Sequence, residues 1–377
     1  MRIAMFSDSY YPYVSGVTRA VATMKDTLLS LGHEVVVFCP NYPDAKPEIG
    51  VIRLASVKAP TYAGYYVAIP FFPTVIRQVR RFSPDVIHVH SPFNLGMMGL
   101  WAGRQQNVPV ALTYHTMYNM YSHYFPLIGQ SVSRAVERTA FKAARKADAV
   151  ITPSGAIARY LAERGATSKA IPIPNGIPIA EFQGGNPRYL HDYHGIPAGT
   201  PIVLTCGRLG KEKNLEVLLA SFAKVTQRIN ANLVLVGDGP LRDVLKEEAE
   251  SLGIRDRTHF IGIVPPDMMT HVYAGASLFM FTSLTDTQGL VLVEAKAAGL
   301  PAVAVGALGV VDMVQDGIDG FLCPNDPDEI SRKTVSLLEN PALLAQMSDN
   351  ARRTAQEFSR EKCAQRLLEC YRSIIRT

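Results

Sequence analysis

The feature that most constrains this chain is an alternation between two kinds of segment, and the alternation runs twice along its length. Short runs rich in Val, Ile and Ala are separated by longer stretches whose apolar residues recur at helical spacing. Strands joined by helix-length crossovers pair in parallel, so this pattern dictates parallel sheets covered by helices. In the first half the strands are expected at Arg2–Phe6, Glu34–Phe38, Val86–Val89, Val108–Thr113 and Ala149–Thr152. Helical patterns lie at Val17–Leu31, Phe72–Phe82, Leu95–Gln106 and Gln130–Ala147. Around Pro172–Thr200 the texture becomes rich in Pro and Gly with no sustained period, which reads as an interdomain connection. The alternation then restarts. Strands are expected at Ile202–Cys206, Asn232–Val236, His259–Gly262, Leu278–Thr282 and Ala302–Val305, with helices at Leu215–Arg228, Leu241–Leu252 and Gly289–Ala298. From Asp326 the chain is helical, split near Pro341 and near Phe358. The fold class is therefore α/β with two Rossmann-like domains, placed at residues 1–185 and 186–358.

Length and composition narrow the classes. A chain of 377 residues is too long for one ordinary core and comfortable for two. No apolar run reaches the roughly 18 residues of a membrane span. The opening MRIAMFSDSYYP is broken by Asp8 and reads as a first strand, not a signal peptide. Five scattered cysteines (Cys39, Cys206, Cys323, Cys363, Cys370) have neither metal-ligand nor disulfide spacing and suit a reducing, cytoplasmic setting. A net charge of +5 permits an anionic ligand or lipid surface without requiring nucleic acid.

In open parallel sheets, ligands bind beyond the carboxyl ends of the strands, and the unusual residues fall there. Gly16 follows the first strand and precedes a helix, so its backbone can approach a phosphate; an ordinary turn is the other reading. After the fourth strand, TYHTMYNMYSHY carries His115, His123 and several tyrosines. His115 either donates to a sugar or phosphate, or is a satisfied structural histidine. In the second half, GRLGKEKN places Arg208 and Lys213 on one strand-exit loop. A guanidinium fork and a point-charge ammonium suit a diphosphate, though two solvated charges would read the same.

The strongest segment is SLTDTQGLVLVEAKAAGLP, Ser283–Pro301. Asp286 lies on the loop before a helix that starts near Gly289, and Glu294 lies about one and a half turns in. Two carboxylates and a helix start can grip both ends of a polyol ligand. A Glu flanked by Val291, Leu292, Val293, Ala295 and Ala297 is costly unless it has a partner. No acid cluster has metal-ligand spacing, so neither a metal nor another cofactor is expected.

With these residues, nearly the whole chain resembles the retaining GT-B glycosyltransferases of family four. Asp286–Glu294 with its AKAAGLP continuation is similar to that family's pair of acids separated by seven residues, with Asp286 where Glu is usual. The resemblance implies two Rossmann-like domains facing across a cleft, with the last helix, 359–377, crossing back to the first. It implies that Glu294 binds the ribose, and that Asp286 with Gln288, Gly289 and Leu290 binds the donor hexose. Arg208 and Lys213 would then bind the diphosphate, Gly16 would approach it, and His115 would stand beside the transferred sugar. TYHTMYNMYSHY and TDTQGLVLVEA further resemble bacterial diacylglycerol glucosyltransferases. A nucleotide-sugar donor, UDP-glucose, and a lipid acceptor follow from that resemblance. A GDP-mannose-dependent lipid mannosyltransferase and a GT-B epimerase without acceptor are the alternatives. A nicotinamide oxidoreductase is disfavoured because no GxGxxG joins a first strand to a helix. A lipid acceptor agrees with Arg134, Arg138, Lys142 and Lys146, which form one basic stripe of a helix, and with Phe71 and Phe72 beside Arg77, Arg80 and Arg81. Such groups suit peripheral attachment to an anionic membrane face.

Overall fold

The computed structural model describes residues 1–59, 64–69, 71–117, 129–167 and 169–375, with backbone alone for 129–133. The chain divides into two compact units, Met1–Gly176 with Arg360–Thr377, and Ile177–Ser359.

The first unit contains strands β1 (Arg2–Phe6), β2 (Glu34–Pro40), β3 (Val51–Leu54), β4 (Ser56–Lys58), β5 (Tyr66–Ala68), β6 (Val86–Val89), β7 (Val110–Thr113), β8 (Ala149–Thr152) and β9 (Ala170–Pro172). Its helices are α1 (Gly16–Ser30), α2 (Phe72–Phe82), α3 (Asn94–Gln106), α4 (Gly129–Lys146) and α5 (Gly155–Glu163). Seven strands form a parallel sheet in the order β3-β2-β1-β6-β7-β8-β9, while β4 and β5 pair antiparallel outside it. Strands β6, β7 and β8 are buried at every position. That is why they read as unbroken apolar runs: a parallel sheet is covered on both faces. Helix α1 starts where Ser15 accepts the backbone N–H of Thr18 at 3.1 Å, a side-chain cap for an otherwise unpaired donor.

The second unit repeats the plan with α6 (Tyr189–His194), β10 (Ile202–Cys206), α7 (Leu215–Thr226), β11 (Asn232–Val236), α8 (Arg242–Ser251), β12 (Thr258–Gly262), α9 (Met269–Ala274), β13 (Leu278–Phe281), α10 (Leu290–Ala298), β14 (Ala302–Val305), β15 (Gly320–Cys323), α11 (Pro327–Leu338) and α12 (Pro341–Ala355). Its six-stranded parallel sheet runs β12-β11-β10-β13-β14-β15. Two apolar clusters sandwich that sheet. One is built around Phe279, Phe281, Leu292 and Val293, the other around Leu218, Phe222, Met280 and Ile330. The last helix, α13 (Arg360–Ile374), returns to the first unit, where Leu367, Leu368, Cys370 and Tyr371 join the core with Ile3, Met5 and Val21.

The chain passes between the units at Gly176–Ile177, inside the expected stretch Pro172–Thr200, but not all of that stretch is linker: Ile177, Ile179, Phe182, Leu190 and Ile196 are buried in the second core. The first unit accordingly ends at Gly176 and not at 185. Strands β3, β9 and β15 also escaped the sequence reading; each lies at the edge of its sheet and is only partly buried, so it is short and lacks the full burial of the inner strands. Among the described residues, no helix is long and apolar enough to cross a membrane.

Candidate active site

In each sheet the strand order reverses once: at β1, with β2 on one side and β6 on the other, and at β10, between β11 and β13. Loops leaving neighbouring strands there diverge, which opens a crevice at the carboxyl ends. Six of the predicted residues, Lys213, Asp286, Gln288, Gly289, Leu290 and Glu294, together with Arg208, belong to the second unit and follow β10 and β13.

The structure joins the two loops that leave these strands. Lys213 Nζ lies 2.7 Å from Asp286 Oδ2, so two residues 73 positions apart form an ion pair. Three hydrogen bonds from one loop to the other fix that approach. Thr282 Oγ1 donates to the carbonyls of Lys213 and Asn214, both at 3.0 Å, and Ser283 Oγ donates to that of Glu212 at 3.1 Å. Asn214 completes the join by donating from Nδ2 to the carbonyl of Thr282 at 3.2 Å, from a left-handed backbone with φ of 54°. The sequence reading missed Asn214, Thr282 and Ser283, because polar residues at loop ends carry no pattern of their own. Arg208, in the same loop as Lys213, is exposed. With Gly207, Lys213, Phe281 and Thr282 it lines a small cavity at the ends of β10 and β13.

Beyond Asp286, Gln288 is buried and Gly289 precedes the first residue of α10, Leu290. Gly289 has φ of 76°, and a Cβ there would lie 3.2 Å from the ring of Phe281. Glycine therefore lets the chain turn into α10 against the sheet. Glu294, on the buried side of α10, accepts a hydrogen bond from Tyr273 Oη at 2.8 Å. The partner that its apolar surroundings demand is thus supplied by α9. Lys296, two residues on, is equally buried but pairs with buried Asp319 at 2.7 Å, a separate ion pair inside the unit.

Gly16 and His115 belong to the first unit. Gly16 is exposed at the start of α1, with nothing within 4 Å of the place a Cβ would take. His115 follows β7 and is buried; its Nε2 is 3.1 Å from His90 Nδ1. Desolvation lowers its pKa to about 4, so the ring is neutral near pH 7. His123, Tyr118, Tyr121 and Tyr124 lie outside the described residues. The sequence reading also missed Asp8, at the end of β1, which accepts from Ser91 Oγ and from the N–H of Leu95. Burial raises its pKa. Among the described residues, no group of three His, Cys, Asp or Glu side chains is arranged to hold a metal ion.

On the first unit's surface, α2 and α4 both pack on α3. Arg134, Arg138, Lys142 and Lys146 are all exposed on α4, while Ala140, Phe141, Ala143 and Ala144 are buried. Glu137, the one acid among them, is bound by Tyr160 Oη at 2.5 Å. Phe71 is 67% and Phe72 51% exposed, beside exposed Arg77, Arg80 and Arg81.

Comparison with known proteins agrees with this plan. Residues 14–181 match the model of Glycosyltransferase Family 4 and residues 189–354 that of Glycosyl transferases group 1. The alpha-monoglucosyldiacylglycerol synthase of Streptococcus pneumoniae is 31% identical over 352 residues, 90% of this chain and 79% of that protein. A GDP-mannose-dependent alpha-mannosyltransferase of Corynebacterium glutamicum is 28% identical over 338 residues, 85% of this chain and 76% of that protein. In structure, the HepE protein of Anabaena, solved in complex with UDP, superposes with a TM-score of 0.80 at 23% identity, covering 99% of this chain and 100% of that one. The architecture is the GT-B fold. With both family models matched in tandem and a relative above 30% identity over most of its length, the chain belongs to the glycosyltransferases, a Family 4 domain being followed by a group 1 domain.

Proposed function

We propose that this glycosyltransferase moves glucose from UDP-glucose to a diacylglycerol acceptor, with retention of configuration and without a metal. The observation that carries the reading is the joined pair of loops after β10 and β13. It sets an ammonium and a guanidinium on one strand-exit loop and a carboxylate on the other, as a sugar diphosphate requires. The identity with the pneumococcal synthase over 90% of the chain supports the choice of sugar and acceptor.

In this reading the bond between the anomeric carbon and the diphosphate oxygen breaks, and its electrons leave with UDP. The acceptor hydroxyl forms its new bond on the same face of the sugar and gives its proton to the departing phosphate oxygen. Arg208 and Lys213 stabilise the charge that grows on the diphosphate. Lys213 has three N–H donors, so it can keep Asp286 and take a phosphate oxygen together. Asp286 and the backbone around Gln288, Gly289 and Leu290 hold the hexose, and Glu294 holds the ribose diol. In the same reading Gly16 meets the diphosphate and His115 the transferred sugar. The exposed basic and aromatic groups on α2 and α4 bring the enzyme to an anionic bilayer, where its acceptor resides.

A GDP-mannose donor is the second reading, favoured by the mannosyltransferase relative. One experiment decides between them. The purified protein is incubated with radiolabelled UDP-glucose or GDP-mannose and dioleoylglycerol in mixed micelles, with and without EDTA. The expected product is an α-linked glucosyl lipid, formed equally with EDTA present. A mannosyl lipid would favour the second reading. No lipid product from either donor, or an epimerised nucleotide-sugar alone, would overturn both.

A further inference from the structure

The first unit holds three histidine rings in contact, and their hydrogen bonding restricts where the protons lie. His88 and His90 stand two residues apart at the end of β6, so their side chains leave the same face, and their ring centroids are 4.0 Å apart. His88 is engaged at both nitrogens, by Thr113 Oγ1 and by Tyr371 Oη of α13, each at 2.7 Å. Both partners are hydroxyls, which donate or accept, so either tautomer of His88 is served. His90 is different. Its Nδ1 meets His115 Nε2 at 3.1 Å, while its Nε2 is buried with no hydrogen-bond partner among the described residues.

Burial lowers the pKa of all three rings, to about 3 for His88, well below the ordinary value for His90, and to about 4 for His115. Each ring is therefore neutral near pH 7 and carries one proton. If His115 donated from Nε2, the proton of His90 would sit on its own Nε2, a buried N–H with nothing to receive it. Orphaned buried N–H groups are rare in folded proteins because the lost hydration is not replaced. If His90 donates from Nδ1, its only N–H is satisfied and Nε2 carries a bare lone pair.

We infer that His90 is a positioning residue whose Nδ1–H holds the ring of His115 and fixes its proton on Nδ1. His115 Nδ1 is then a hydrogen-bond donor and cannot take the acceptor's proton, which leaves that proton to the departing phosphate. This consequence rests on the reading of His115 as a contact of the donor sugar; the tautomer itself does not. His90 is rigidly held for such a task. Its backbone N–H donates to the carbonyl of Phe6 at 2.8 Å. The segment that follows it is fastened by Ser91 and Leu95 to Asp8.

The test uses the full chain with isotope-labelled histidine and long-range proton–nitrogen NMR near pH 7, assigned with the His90→Leu and His115→Gln variants. The expected spectrum shows His115 protonated on Nδ1 in the parent and shifted to the other tautomer, or to a mixture, in His90→Leu. In turnover of UDP-glucose with dioleoylglycerol, His90→Leu should lower kcat roughly ten- to a hundredfold, the range for outer partners that orient a histidine, with KM for UDP-glucose unchanged. His90→Asn, whose amide N–H falls near the position of Nδ1, should restore most of the rate. A parent His115 protonated on Nε2 would overturn the proposal, and so would an Nδ1 proton that persists in His90→Leu. If His90→Leu fails to fold, the parent spectrum still decides. The expected tautomer together with full turnover by His115→Gln would leave the positioning intact and remove His115 from the sugar site.

Discussion

At the residue scale, the ion pair Lys213–Asp286 separates rate from stability. Its side chains are 20% and 22% exposed, and partly solvated pairs add only about 0–1 kcal/mol to folding. Charge stabilisation at a growing oxyanion is larger. Lys213→Ala and Arg208→Ala should each lower the transfer rate by about two orders of magnitude or more, with little change in Tm; near-normal turnover in both would remove them from the site. The two acids differ in kind. Glu294 is held by Tyr273 inside the helix layer, whereas Asp286 faces a cation on a loop. Glu294→Gln should weaken binding of free UDP by calorimetry, because an amide accepts fewer bonds from a diol. Asp286→Asn should reduce rate and discrimination among sugars while free UDP affinity stays near the parent value. Collapse of UDP binding in Asp286→Asn alone would exchange the two assignments. Lys296 shows why charge inside an apolar helix is not by itself a sign of function: its partner Asp319 is fully buried, and the pair is complete without a ligand.

At the element scale, the start of α10 depends on one backbone conformation. Gly289→Ala asks a side chain to adopt φ of 76° and to press on Phe281. The conformation alone costs about 1–2 kcal/mol. Chemical denaturation should show a loss of at least this order, and donor affinity should fall with it because the amides after Gly289 move. A parent-like midpoint and affinity would mean that α10 starts without this turn. Helix α4 carries the surface prediction. Its four cations lie on the exposed face, while Ala140, Phe141, Ala143 and Ala144 are buried. Near an anionic membrane each could add about 1 kcal/mol, screened by salt. The parent should co-sediment with anionic liposomes, less with zwitterionic ones, and be released at high salt. Changing Arg134, Arg138, Lys142 and Lys146 to Gln should reduce sedimentation and lipid glycosylation while UDP binding is kept. Equal sedimentation would make the stripe an ordinary solvated face.

At the scale of the whole molecule, the chain leaves the first unit after Gly176 and re-enters it at Arg360, and these points touch: a Cβ on Gly176 would lie 2.4 Å from Arg360 Cα. The returning α13 then sends Tyr371 to His88, so one of the three adjoining rings His88, His90 and His115 is held by the last element of the chain. These rings also link stability to pH. Their folded pKa values are depressed below the ordinary 6.5, to about 4 for His115 and about 3 for His88. A depressed histidine stabilises the fold fully above its unfolded pKa, and that contribution is lost as pH falls through the folded value. The denaturant midpoint should therefore fall as pH drops below 6.5, through the window that reaches down to about 4. The fall should be shallower in His115→Gln. Identical pH profiles for the two proteins would mean that His115 is not buried neutral.

How much of this was legible beforehand follows from where the information resides. The inner strands β1, β6, β10, β11 and β14 and the helices α1, α2, α3 and α10 are marked by composition and period alone, because burial on both sheet faces leaves no room for polar residues. The turn at Gly289 and the two acids flanking it are local in sequence, so Ser283–Pro301 could be singled out as it stands. What the tertiary structure decided is which distant residues meet. Nothing local in a row of letters brings Lys213 to Asp286, Tyr273 to Glu294 or Tyr371 to His88, since each pair is joined by sheet order and crossover geometry. The reach of the first unit to Gly176 was settled the same way. Ile177, Ile179 and Phe182 sit in a segment without period, and only the second core that they fill shows to which side they belong.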